Sequence, residues 1–276
     1  MSQLFNLSLP DLGRHRIAAV ALLPVVLPTV YVAYLNWAVR RRTSSTSGRL
    51  PPSSTAAASV PRRPQSLPED VLARPQDWVV SYERVISRPV PAASLVAKLL
   101  RRGGGGGTDE TSPSPLLTAY LRTTYKAFSW TPQAFLIHGM LAEPERKASF
   151  GAAHIDGLRF ARGDVVDGVY RVTSYEVGAK SSSSSSSQDK AVVEVVELSI
   201  DVPRSYKGPA VRGIVVSAME SLVGDGEDAV QFVNETWLWR KKDEKPTLLE
   251  SGLGQWFHRL LAGWLVMKGL GGVTRK

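Results

Sequence analysis

The chain has 276 residues, of which 43% are hydrophobic and 21% charged, with a formal net charge of +9 and no cysteine. The missing cysteines exclude disulfides, thiolate nucleophiles and cysteine metal sites. The positive charge sits at the front: residues 1–65 hold eight arginines against one acid, Asp11. The remainder is therefore close to neutral, without the basic footprint of a nucleic-acid binder.

Residues 1–16 read as a short basic tail. The run from Ile17 to Val39 (IAAVALLPVVLPTVYVAYLNWAV) contains no charged residue. As a helix it is long enough to cross a hydrocarbon core of about 30 Å, so a single transmembrane helix is expected over 17–39. Pro24 and Pro28 each remove a helical hydrogen bond, a loss tolerated better in membrane helices than in soluble ones. Tyr31, Tyr34 and Trp37 gather towards its C-terminal end, where amphipathic rings favour the interface, and Arg40, Arg41 and Arg42 follow as a stop. Arginines are more numerous on the C-terminal flank, which places the following domain in the cytosol, with the endoplasmic reticulum and the mitochondrion both open as the membrane. Residues 40–68 are rich in Ser, Pro and Ala and are expected to be a disordered linker.

The folded domain is expected over 69–270. Trp78 to Ile86 (WVVSYERVI) reads as a strand and Ala92 to Leu100 as a short helix. The glycine run 103–107, within a low-complexity loop at 102–114, lacks the Lys-Ser/Thr of a phosphate-binding loop and reads as a surface expansion. Leu117, Tyr120, Leu121, Thr124 and Phe128 share one face of a helix over 115–128, and Pro132 suits the first turn of another, through Leu141. The period then changes. Strands are expected over 169–177, 191–202, 211–222 and 229–240, interrupted by a serine-rich loop at 179–190. Val192, Val196, Leu198, Ile200 and Val202 alternate with Val193, Val195, Glu197, Ser199 and Asp201, as in an antiparallel sheet with one covered face. Leu253, Trp256, Phe257, Leu260, Leu261, Trp264 and Leu265 recur at helical spacing. They predict an amphipathic C-terminal helix with an aromatic inner face, ended by Gly269, with 271–276 left as a tail.

These elements describe an α+β domain in which an antiparallel sheet grips a long C-terminal amphipathic helix, behind an N-terminal transmembrane helix. The stretch YERVISRPVPAASLVAKLL resembles the first strand and following helix of START-like proteins, which include polyketide cyclases, ubiquinone-binding proteins and the birch-pollen allergen type. GDVVDGVYRVTSYEV, NETWLWR and GQWFHRLLAGWLV are similar to a largely bacterial helix-grip family of unknown function. The resemblance spans most of 78–270. It implies a cavity between the C-terminal helix and the sheet that holds hydrophobic ligands, and it carries over no catalytic residue.

No catalytic motif is found, and no metal or cofactor site is expected. His15, His138, His154 and His258 form no metal-ligand spacing, and His258 falls on the polar side of the C-terminal helix, where solvent exposure is expected. On the last strand Glu235 shares a face with Val233, Trp237 and Trp239. If that face is concave, Glu235 is a carboxylate of raised pKa in an apolar cavity; if it is convex, the tryptophans cover an outer surface and Glu235 is solvated. Candidate ligand-binding residues are Tyr120, Asn234, Glu235, Trp237, Trp239, Trp256 and Trp264. Asn234-Glu235-Thr236 is also a formal glycosylation sequon. The leading expectation is a membrane-tethered domain that binds or transfers a membrane lipid or other hydrophobic small molecule, and no nucleic acid. The alternatives are an acyl-thioester or polyketide-type hydrolase or cyclase, on a hot-dog or helix-grip fold, and a membrane scaffold that docks a partner on its tryptophan face.

Overall fold

The computed structural model describes residues 12–50, 61–100, 112–180, 191–208, 211–222 and 228–275, with the backbone alone at 12–25, 179–180 and 191–192. The basic tail, the glycine run and the serine run expected from the sequence lie outside the described residues, apart from the tail's last residues, 12–16. A 31-residue helix, α1 (Leu12–Arg42), contains the uncharged run. Val26, Leu27, Val30, Tyr31, Tyr34 and Trp37 are exposed on it, whereas Ala38 and Val39 in its last turns are buried. Among the described residues no helix is long and apolar enough to cross a membrane.

Two parts of the expected linker are ordered, which corrects that reading. β1 (Thr43–Arg49) pairs antiparallel with β2 (Trp78–Ser87), from Thr43 opposite Ser87 to Arg49 opposite Ser81. TSSTSGR has no core to offer, but a sheet edge supplies backbone partners to any sequence able to extend along it. Further on, Leu67 near the linker's end is buried, as is Val71 just beyond it on α2 (Glu69–Ala73), where the domain is expected to begin. The Glu197 carboxylate clamps this segment by accepting the backbone N–H groups of Gln65 and Ser66, each at 2.8 Å.

After β2 come β3 (Val90–Pro91), a single 3-10 turn at Ala92–Ser94 and α3 (Ala97–Leu100). The one helix expected over 92–100 is broken at Leu95, which is extended and bridges Thr274. α4 (Pro115–Phe128) starts on Ser114, whose hydroxyl accepts from the Leu117 N–H, and α5 (Pro132–Met140) starts on Thr131, which accepts from Ala134. Each has proline in its first turn, where a missing N–H costs nothing. α6 (Pro144–Ala148) and α7 (Ala152–Gly157) lead to β4 (Val165–Val166). Asp167 and Gly168, with φ of 46° and 72°, then turn the chain into β5 (Tyr170–Lys180). β6 (Ala191–Ile200), β7 (Arg212–Leu222) and β8 (Ala229–Lys241) follow as a meander.

The protein is thus α+β, with an antiparallel sheet in the order β1-β2-β8-β7-β6-β5-β4, β3 also pairing with β8, and a long C-terminal helix, α8 (Gly252–Val273). Both faces of the sheet are covered, not one. On the inner face Tyr120 of α4 stacks on Phe232 with ring centroids 4.4 Å apart, and Val85 packs with Ala262 and Val266 of α8. On the outer face Trp78, Val80, Tyr82, Trp237 and Trp239 form a second core with Leu67 and Val71.

Of the stripe expected to form the inner face of α8, Leu261 and Leu265 do face the sheet, but the aromatic residues do not. Gly254, Ala262, Gly263, Val266, Gly269 and Val273 are buried, while Leu253 is 77% exposed and Trp256 and Phe257 also face outward. Close helix approach selects the small residues. A Cβ on Gly269 would lie 2.4 Å from side-chain atoms of Tyr120 and Thr124, and one on Gly263 would lie 2.3 Å from Val39. Gly269 therefore sits inside the helix and does not end it. Val273 is fully buried and the Arg275 N–H bonds to the Ser94 carbonyl, so 271–275 belong to the domain.

Candidate functional site

Between α4, α8 and the inner face of the sheet lies a cavity of about 590 Å³, within the range of small-molecule sites. β7 and β8 supply its floor with Val215, Ser217, Asn234, Thr236 and Leu238. Tyr125 and Phe128 of α4, with Tyr170, make one wall; His258, Leu261, Ala262 and Leu265 of α8 make the other. The mouth is formed by Arg212, Arg240 and residues 244–248. Arg240 holds this loop by a two-pronged contact with Glu250, at 2.7 and 2.8 Å, and hydrogen bonding from Arg240 lowers the Glu250 pKa to about 2.

On the floor and the α8 wall, Ser217, Asn234 and His258 are oriented by neighbours. Asn234 Oδ1 accepts hydrogen bonds from Tyr120 at 3.1 Å and Ser217 at 3.2 Å, which leaves its NH2 group without a partner among the described residues. Tyr120, on α4, stands beside the cavity on the same inner face, where burial raises its phenol. On β2, Glu83 pairs across the ladder with Thr236 and has a wholly buried side chain. His258 Nδ1 lies 2.8 Å from Glu83 Oε1, while Arg259 Nε stands 4.0 Å from Oε2, which has no hydrogen bond. Behind the Tyr125 and Tyr170 wall, Asp167 accepts from Ser129 at 2.7 Å, and burial pushes its carboxyl up to about 8.

The sequence candidates divide by face. Asn234 lines the cavity, Tyr120 holds Asn234 from beside it without lining the cavity, and Trp239 reaches its rim from the outer core. Glu235 and Trp237 lie on the outer face, so neither belongs to the cavity. Glu235 is 7% exposed, with Arg84 Nε at 3.0 Å and the Trp237 indole N–H donating at 2.9 Å. Its pKa is raised by burial against the opposing effect of those two partners. The convex reading gives its face correctly but not its solvation. Trp256 packs near the end of α1, and Trp264 carries Lys268 Nζ at 5.4 Å over its ring; neither lines the cavity. His258, expected in solvent, is instead a wall residue.

Glu83 and Ser217 were also missed. The legible signal for His258 was its four-residue spacing with Gly254, Ala262 and Val266, a stripe of small residues overshadowed by the more hydrophobic aromatic one. For Glu83 it was a lone acid sharing a strand face with Ser81 and Val85. Compared with known proteins, the chain matches no family model and no curated protein.

Proposed function

We propose that this protein holds or transfers a lipid or another apolar small molecule in the cavity, beside a membrane to which α1 tethers it. The cavity carries the reading: it is roomy, its lining surface is mainly apolar, and Ser217, Asn234 and His258 are held in place by neighbours on its floor and wall. An antiparallel sheet with a long C-terminal helix over one face supports the START-like resemblance, for which such a cavity is expected. The tether is supported by the uncharged run 17–39, by Arg40, Arg41 and Arg42 after it, and by the exposure of Val26, Leu27, Val30 and Tyr31. The arginine bias favours a cytosolic domain.

A hydrolase or cyclase is the second reading, favoured by the Glu83–His258 pair at the cavity wall. It needs a nucleophile, and the Ser217 hydroxyl is already donated to Asn234. The tryptophan face that a scaffold would present is covered, with Trp237 fully buried. Titration of the purified chain with a fluorescent lipid analogue tests the binding reading. Saturable one-to-one binding that is lost in Ala262→Trp, which fills the cavity, is the expected result. Non-saturable signal, or binding unchanged by Ala262→Trp, contradicts it.

A further inference from the structure

We infer that His258, oriented by Glu83, is the polar anchor of the cavity and selects ligands that carry a hydroxyl head on an apolar body. The inference rests on the binding reading above. The Glu83 side chain is fully buried on the inner face of β2, in a strand setting otherwise occupied by Ser81, Val85 and Ser87. A buried carboxylate there is costly even with His258 and Arg259 beside it, and packing alone would be served as well or better by apolar residues. What the carboxylate does is fix a ring. A carboxylate accepts, so His258 gives its Nδ1–H to Glu83 Oε1 at 2.8 Å, and in the neutral ring this leaves Nε2 as the acceptor. Among the described residues Nε2 has no partner.

The ring stands beside Leu261, Ala262 and Leu265 in the cavity wall. Its neighbour across the floor is Thr236, which opposes Glu83 in the ladder. Asn234 lies two residues along β8, about 7 Å away by strand geometry, and its oxygen is already taken by Tyr120 and Ser217. An imidazole acceptor in this apolar wall matches an O–H donor. An ether of the same length has no proton to give.

The test is a competition. The full chain in phosphatidylcholine nanodiscs is offered equal amounts of hexadecanol and its methyl ether, and the bound pair is quantified by native mass spectrometry. The wild-type chain is expected to retain the alcohol over the ether by about tenfold, the value of one good hydrogen bond. His258→Leu is expected to lower retention of the alcohol and bring the ratio to about one. Equal retention by the wild-type chain, which needs no variant to fold, overturns the anchor and leaves the cavity reading standing. A preference that survives in His258→Leu also overturns it. Retention of neither compound by the wild-type chain removes the cavity reading and the anchor together.

Discussion

Asp167 is where ionisation bears most directly on the fold. Its pKa of about 8 in the folded chain stands well above the unfolded value of about 3.9. Between those limits the folded chain keeps a proton that the unfolded chain releases. The contribution of this group to stability is therefore complete below about pH 4 and is lost as pH rises through about 8. Asp167→Asn keeps an acceptor for Ser129 and suits the positive φ of a residue followed by glycine. Thermal melts should show the variant more stable than wild type at pH 9, by on the order of 5 kcal/mol, with the gap closing towards pH 5. An unchanged pH profile would place the shift elsewhere. Glu235 makes the contrasting case. Glu235→Gln removes a charge from Arg84, which still has Glu220 at 2.9 Å. Chemical denaturation should show a loss of about 1–3 kcal/mol, with binding in the inner cavity unaltered. Loss of ligand in this variant would move the site to the outer face. Alternation along β8 made the shared face of Glu235, Trp237 and Trp239 legible. Which side that face takes was not, because the cover comes from Leu67, in a segment whose composition reads as unfolded, and from Val71 just after it.

At the scale of elements, the first-turn proline at Pro132, the strand alternation and the long C-terminal helix were readable, since each is governed by local chemistry. β1 was not, because it is held by hydrogen bonds to β2 rather than by its own side chains. The burial of α8 was misread for a related reason: hydrophobicity ranks Trp256 and Phe257 above Gly263 and Gly269, whereas close packing does the opposite. Two substitutions separate these views. Gly269→Val forces α8 away from Tyr120 and Thr124 and should cost about 1–3 kcal/mol in chemical denaturation. Leu253→Ser, on a side chain 77% exposed, should change stability by less than about 0.5 kcal/mol. The reverse ranking would restore the aromatic face as the buried one.

For the whole molecule, the arrangement of apolar surface gives the cavity a setting. Leu248 lines the mouth, and its side chain and carbonyl crowd the position of Gly254 at the start of α8. Leu253, Trp256 and Phe257 are exposed on the same turns of that helix. Trp256 also shares a small pocket with Asn36 and Val39 of α1, whose preceding apolar side chains are exposed. The mouth, the outward aromatic residues and the departure of α1 thus gather at one end, which suits exchange of a ligand with a membrane surface beneath the proposed tether. The central claim is that the cavity holds an apolar molecule, and native mass spectrometry of the full chain released from membrane nanodiscs tests it most directly. The wild-type chain should carry one apolar small molecule, and Ala262→Trp should carry none. An empty wild-type chain after exposure to a membrane lipid extract, or equal loading of the two, would contradict it.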